Sequence, residues 1–413
     1  MFLLELVEFG VIMAISEFLE NFIRKESLFK NKSILQSSYF PDDVLHREEQ
    51  INQIAKILAP SLRSERPSNI FAYGKTGTGK TLTIQYTLKE IMKISQRENV
   101  ALRYIYINCK LKKVADTEYR LIAEIARHLG KSIPPTGLPT DEVYNIFYKA
   151  LNQEKKTVII VLDEIDQLIK KVGDEVIYNL TRINTELKDS QLAIIGISND
   201  VMFADNLDPR VKSSLSEEEI VFPSYNAIQI QDILKKRCHE AVKDGVIEDG
   251  VIAKCAAYAA REHGDARRAL ELIRVAVEIA ERKGLTTITL SELDESEEKI
   301  EKDRVVDIIT SQPKQFQLVL YSILIIGERK KNNDAIFTGD IYSLYKDLCN
   351  KTNLRPLTQR RVSDVISEFD LLGIINAKVI SKGRYGRTRE VNIVTNETMN
   401  TKIISLLEAA LSL

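Results

Sequence analysis

Ile70-Phe71-Ala72-Tyr73-Gly74-Lys75-Thr76-Gly77-Thr78-Gly79-Lys80-Thr81-Leu82-Thr83 sets four apolar residues before a glycine-rich turn and a helical pattern after it. The turn fits G-x-x-x-x-G-K-T, in which glycines let backbone N–H groups face a phosphate chain with no Cβ in the way. A helix opening at Lys80 adds the partial positive charge of its N-terminus. In that setting Lys80 reaches the β- and γ-phosphates of a nucleotide, and Thr81 joins a Mg2+ shell. ATP or ADP with Mg2+ is the expected cofactor set, contacted by Gly74, Lys75, Thr76, Gly77, Thr78, Gly79, Lys80, Thr81 and Leu82.

Such a loop needs an acidic partner on a neighbouring strand, because the metal must be held from a second side. Val158-Ile159-Ile160-Val161-Leu162-Asp163-Glu164 supplies one: a buried-type strand ending in two carboxylates. Asp163 is read as the second metal residue, and Glu164 as the group that orients or deprotonates the attacking water. The next apolar run, Ala193 to Ser198, ends at Asn199, whose amide suits a γ-phosphate or water contact. Downstream, Arg210 in Leu207-Asp208-Pro209-Arg210 and Arg267 in Gly264-Asp265-Ala266-Arg267 are cations fit to face developing phosphoryl charge. A surface ion pair is the plainer role for either arginine alone.

Runs at Ile70–Tyr73, Leu102–Ile107, Thr157–Leu162 and Ala193–Ser198 each precede a helical pattern, which predicts an α/β fold with a parallel sheet covered by helices on both faces. From about Phe222 the chain turns helical, over Ala227–Val242, Gly250–His263 and Asp265–Lys283, and reads as a small helical domain. The acidic stretch Glu292–Glu301 leads through Asp303–Thr310 to Pro313. Three domains follow: an α/β domain at 1–221, a helical domain at 222–310, which the family resemblance below makes a lid, and a third domain at 311–413.

That third domain predicts helices at Pro313–Gly327, Thr338–Asn350 and Thr358–Leu371, then a hairpin with strands near Ile374–Ile380 and Arg387–Val394. Thr358 is a suitable N-cap and Gly373 a suitable stop. The third helix buries Val362, Val365, Ile366 and Phe369 and presents Gln359, Arg360 and Ser363 near its start, as a major-groove recognition helix does. The hairpin tip carries Lys382, Gly383, Arg384, Tyr385 and Arg387, with Lys378 and Arg389 beside it, and no acidic residue from Gly373 to Arg389. This winged-helix pattern predicts double-stranded DNA contact through Thr358, Gln359, Arg360, Ser363 and the tip.

The succession GKTGTGKT, VLDEID, ISND, LDPRVKSS and GDARRAL resembles the AAA+ ATPases over nearly two-thirds of the chain, and is most similar to the archaeal origin-recognition initiators of the ORC/Cdc6 type. The resemblance implies that Lys80 and Thr81 are the Walker A residues, Asp163 and Glu164 Walker B, Asn199 sensor 1, Arg267 sensor 2 and Arg210 the arginine finger. It also implies that Val44, Leu45 and Arg47 pack near the adenine; Leu82 and Tyr225 are expected to line the same site. Origin duplex, the replicative MCM helicase and other initiator protomers are the implied partners. A second DNA contact is implied for an extra helical insertion, for which Tyr119–Leu138 is the nearest candidate and an ordinary helix–helix connection the alternative.

The 413 residues, 44% hydrophobic and 28% charged, describe a folded globular protein of two or three domains. The net charge of −1 means that any phosphate-neutralising surface is local. Cys109, Cys238, Cys255 and Cys349 are too scattered for a zinc cluster and read as free thiols of a cytoplasmic, nucleoid-associated protein. Met1–Ile12 lacks a basic n-region and a cleavage site and is too short to span a bilayer; Met13 is an alternative start. Two rival readings are a regulatory ATPase whose winged helix binds protein, and a transcription factor that uses ATP only as a ligand.

Overall fold

The structure, a computed structural model, describes residues 26–111, 115–134, 136–153, 155–203, 207–261, 264–329, 336–381, 387–394 and 397–413. The choice between Met1 and Met13 lies outside these residues. Contacts divide the chain into two compact units, with the second starting at Asp294.

In the first unit, strands β1 (Ile70–Tyr73), β2 (Leu102–Asn108), β3 (Thr157–Asp163), β4 (Gln191–Ser198) and β5 (Glu218–Val221) form one parallel sheet in the order β2-β3-β4-β1-β5. Strand β3 is buried at every residue, as its unbroken Val/Ile run requires when both faces are covered. Side chains alternate between two cores. Phe71, Ile105, Val158, Ile160, Leu162 and Ile194 pack on one face with the helices Glu118–His128, Thr140–Leu151 and Glu175–Arg182. Ile70, Ala72, Ile159, Val161, Ile195 and Ile220 pack on the other, with Glu48–Leu58 and Lys80–Arg97. Each such fully buried aliphatic side chain contributes about 1.5–3 kcal/mol. Strand β5 escapes the sequence pattern because only Ile220 of its four residues is buried.

The parallel arrangement brings the C-terminal ends of the strands to one edge. Tyr73 lies beside Ser198, and Asp163 lies between Asn108 and Ile197. Loops leaving that edge carry the phosphate-binding turn, the acidic pair and Asn199, the position at which open parallel sheets bind ligands.

Lid helices follow at Ala227–Ala241, Val251–Arg261 and Ala266–Lys283. The first opens on a capping box between Asn226 and Gln229; the third opens at Asp265, whose carboxylate accepts from the N–H groups of Arg267 and Arg268. A strap from residue 26 to Arg47 runs along this lid. Lys30 and Asn31 donate backbone N–H groups to Ala241 O, and Lys243 donates to Leu28 O.

Leu290–Thr310 is one helix that takes in the acidic stretch. The second unit contains Lys314–Arg329, Thr338–Lys351, Gln359–Leu371 and the antiparallel strands β6 (Ile336–Phe337), β7 (Ile375–Ser381) and β8 (Arg387–Ile393), ordered β6-β8-β7. Strand β6 and a final helix, Glu397–Leu411, were not expected from the sequence; Ile403, Leu407 and Leu411 of that helix complete the core. Among the described residues no helix is long and apolar enough to cross a membrane.

Candidate nucleotide cleft and winged-helix face

The phosphate-binding turn is shaped by what presses on it. Gly77 (φ +68°) faces the lid so closely that a Cβ there would sit 1.7 Å from Asp265 Oδ1, and a Cβ on Gly79 (φ +84°) would sit 2.7 Å from the Tyr225 hydroxyl. Both positions therefore require glycine for space as well as for backbone conformation. Lys75 and Thr76 stand exposed on the outer rim, while Thr78 is buried and bonds Lys75 O at 2.9 Å. Lys80 is 5% exposed and donates from Nζ to Gly74 O at 2.7 Å and Lys75 O at 2.6 Å. Burial pulls its pKa down to about 8, with Asp163 acting in the opposite direction.

Across from the turn, Thr81 Oγ1 donates to Asp163 Oδ2 at 2.8 Å, and the Tyr106 hydroxyl donates to the same oxygen at 2.6 Å. Burial first, then the Asp163 charge, push the Tyr106 pKa up, so the phenol stays a donor. Asp163 Oδ1 accepts from the N–H of Glu164 at 2.9 Å. Glu164 itself is left-handed (φ +55°, ψ +46°), a strained conformation for a non-glycine residue that turns its carboxylate out of the strand line, 3.7 Å from Lys110 Nζ. The oxygens of Thr81 and Asp163 form a hard donor set suited to Mg2+. Asn199 is half-buried just beyond the end of β4, beside Ser198, whose hydroxyl lies 3.3 Å from Asp166 Oδ1.

A cleft of about 400 Å³ opens beside Gly77, Gly79, Thr81 and Leu82, walled by the strap, including Val44 and Leu45, and by Tyr225 and Arg267 of the hinge and lid. Of the expected residues, Val44, Leu45, Gly77, Gly79, Thr81, Leu82, Tyr225 and Arg267 line this space, whereas Gly74, Lys75, Thr76, Thr78, Lys80, Asp163, Glu164 and Asn199 are not among its lining residues. Arg47 is not among the residues lining the cleft: it is 2% exposed, and its guanidinium donates to Thr78 O (2.9 Å), His46 O (2.9 Å) and Pro223 O (2.6 Å) while lying 3.8 Å from the Tyr225 ring centroid. It ties the phosphate turn, the strap and the hinge together. Arg210 is exposed and stands elsewhere, paired with both carboxylate oxygens of Asp208 at 3.1 Å and lying over Tyr178.

Sequence reading missed the lid residues Lys236 and Arg237 and the strap residue Tyr39, all of which line the cleft. One signal was present: Arg237 interrupts the apolar face formed by Ile230, Leu234 and Ala241.

On the second unit, Gln359 and Arg360 are exposed at the start of their helix, which Thr358 caps by accepting from Arg361 N at 3.3 Å. Ser363 is half-buried and accepts from Arg389 Nε at 3.2 Å. Gln359, Arg360, Ser363 and Arg389, with Asp364, Val379 and Thr388, line a groove between the helix and the hairpin, and Thr358 is not among its lining residues. Lys382, Gly383, Arg384 and Tyr385 lie outside the described residues; Arg387 heads β8 opposite Ser381, and its side chain lies outside them too. Of the proposed insertion, the Glu118–His128 helix is present, packed on Thr140–Leu151.

A phosphate loop after the first strand, an acidic pair after the third and a lid whose helix N-terminus abuts the loop define the nucleotide-binding core of an AAA+ protein, here joined to a winged helix. Comparison agrees domain by domain: residues 63–199 match an AAA domain, 231–298 the Cdc6 AAA+ ATPase-type lid domain, and 307–402 the CDC6 C-terminal winged helix domain. An ORC1-type DNA replication protein of Pyrococcus abyssi is 52% identical over 93% of this chain and 91% of its own length, and one from Thermococcus onnurineus is 53% identical over 91% and 90%. The solved Aeropyrum pernix ORC1 protein, determined in complex with DNA, superposes with a TM-score of 0.81 at 42% identity, covering 92% of this chain and 98% of that one. The chain belongs to the ORC1-type DNA replication proteins.

Proposed function

We propose that this protein recognises replication-origin duplex DNA and uses ATP as a conformational switch, with domains at 1–221, 222–310 and 311–413. The observation that carries the switch is the seating of Asp265, at the start of the third lid helix, against Gly77 of the phosphate turn, with Arg267 next to it lining the cleft. A nucleotide between them touches base and lid together, so its phosphate count sets the position of the lid. Support for DNA comes from the exposed Gln359 and Arg360 and from the A. pernix relative solved with DNA.

Lys80 would leave its two carbonyls for the β- and γ-phosphates, its charge restored by theirs. Thr81 and Asp163 would hold Mg2+, which when bound neutralises charge shared between those phosphates. Glu164 would orient the attacking water and accept its proton at a carboxylate oxygen, and Asn199 would steady that water. Arg267 would face the phosphates from the lid. Arg210, exposed and away from its own cleft, is suited to a neighbouring protomer's cleft, so the isolated chain should turn over slowly and retain ADP. Recruitment of the replicative MCM helicase is the further step expected of such an initiator, in the nucleoid of the cytoplasm.

The test is fluorescence anisotropy of labelled origin-region and scrambled duplexes at two salt concentrations, with ATP and with ADP. Preference for the origin duplex that changes with nucleotide supports the proposal. Equal affinity for both duplexes removes origin recognition, and no binding favours the regulatory ATPase.

A further inference from the structure

The lid helix Ala227–Ala241 turns Ile230, Leu234, Cys238 and Ala241 inward, and Arg237 stands on that same face. Arg237 is 7% exposed, and its Nε has no hydrogen-bond partner. Its guanidinium carbon lies 4.3 Å from the ring centroid of Tyr39 on the strap. Burial draws its pKa down, with Tyr39 and the Glu240 carboxylate acting the other way, yet a guanidinium stays protonated, so a cation is held largely out of water beside a ring face and one carboxylate. The unsatisfied Nε is itself closed to solvent, but the guanidinium to which it belongs lines the cleft, where a ligand can accept from it. Arg47 offers the contrast within the same unit: equally buried, it delivers its N–H groups to three backbone carbonyls.

The position of Arg237 in the cleft follows from the helix. Asp232 meets His46, next to Arg47, which itself holds Thr78 of the phosphate turn. One turn further on, Lys236 meets Asp43 of the strap. Arg237 lies five residues beyond Asp232, on the order of 7 Å along the axis. It therefore lines the part of the cleft away from the phosphate turn, where the base of a nucleotide would lie with its phosphates in the turn.

We infer that Arg237, backed by Tyr39, holds the base of the bound nucleotide by donating to a ring-nitrogen acceptor of the purine, and so helps to seat the purine in the cleft. This rests on the nucleotide reading above. The exocyclic amine of adenine is itself a donor and cannot satisfy the guanidinium; its ring nitrogens can.

Calorimetric titration of the full chain with ADP, its 1-, 3- and 7-deaza analogues and inorganic pyrophosphate tests the inference. In the unaltered protein one deaza analogue should bind ~10-fold more weakly than ADP, the range of one hydrogen bond to a charged group. Arg237→Met should weaken ADP by a similar factor, leave pyrophosphate unchanged and no longer distinguish that analogue. Parallel loss of ADP and pyrophosphate, or discrimination that persists in Arg237→Met, would overturn the assignment. So would equal affinity for ADP and all three analogues in the unaltered protein, a result that needs no folded variant. Binding of neither ADP nor pyrophosphate to the unaltered protein would overturn the nucleotide reading along with it.

Discussion

Lys80 and Arg360 are both cations proposed to meet phosphate, and the protein keeps them in opposite conditions. Lys80 is buried, donates to two backbone carbonyls, and has its pKa drawn down by desolvation. Arg360 is exposed at a helix start and, among the described residues, forms no ion pair, while its neighbour Arg361 lies 3.9 Å from both Asp364 and Glu368. A buried charge is matched to one ligand and interacts strongly with it; a solvated one is easily kept and acts through a screened field. Substitutions in the cleft should therefore have large, pH-dependent effects, and those on the winged helix small, salt-dependent ones.

The largest effect is expected at Glu164. Its carboxylate is aimed by a strained backbone, so Glu164→Gln should slow ATP turnover by ~10²–10⁴-fold, the range for a positioned general base, while ADP affinity stays unchanged. A single-turnover assay checks this; undiminished hydrolysis would remove Glu164 from the chemistry. Next is Lys80→Met, which should weaken ADP by ~100-fold, since charge-assisted hydrogen bonds contribute about 1.5–3 kcal/mol. The unliganded Lys80 titrates at about 8, and bound phosphates should raise that value, so binding takes up a proton as pH exceeds 8. ADP affinity should be flat below pH 8 and fall by up to ~10-fold per unit above it. Lys80→Met should lose that slope, and a slope surviving in the variant would assign the titration elsewhere.

Gly77→Ala sharpens the comparison from the backbone side. The new Cβ would clash with Asp265 and force the left-handed conformation on a non-glycine residue, costing about 1–3 kcal/mol. The melting temperature should fall and ADP should bind more weakly, with both partly restored by Asp265→Ala in the double variant. Failure of that rescue would mean that backbone strain outweighs contact with the lid.

The elements that the sequence predicts and the fold contains carry local signals. The phosphate turn is a spacing motif, β3 is a continuous apolar run, and Val362, Val365, Ile366 and Phe369 repeat at helical period and are all fully buried. What sequence reading missed depends on distant partners. Strand β5 has one buried residue and exists through its pairing with β1. Nothing in the sequence around Gly77 announces Asp265, nothing near Arg47 announces Pro223, and Arg237 gave only the oddity of a charge on an apolar face. Tertiary approach decides these roles, and local pattern does not record it.

The smallest predicted effect is the most direct test of the contrast. Arg360→Ala removes a solvated cation from the rim of the groove that Ser363 and Arg389 share, so no fold change should follow. Duplex affinity should fall a few-fold at low salt, with the salt slope reduced by about 1 if the contact is to phosphate. Loss on one duplex sequence alone, with the slope intact, would instead make Arg360 a base contact. An Arg360→Ala effect as large as that of Lys80→Met, and insensitive to salt, would mean that the winged helix desolvates its cations on binding and that the contrast holds only for the free protein.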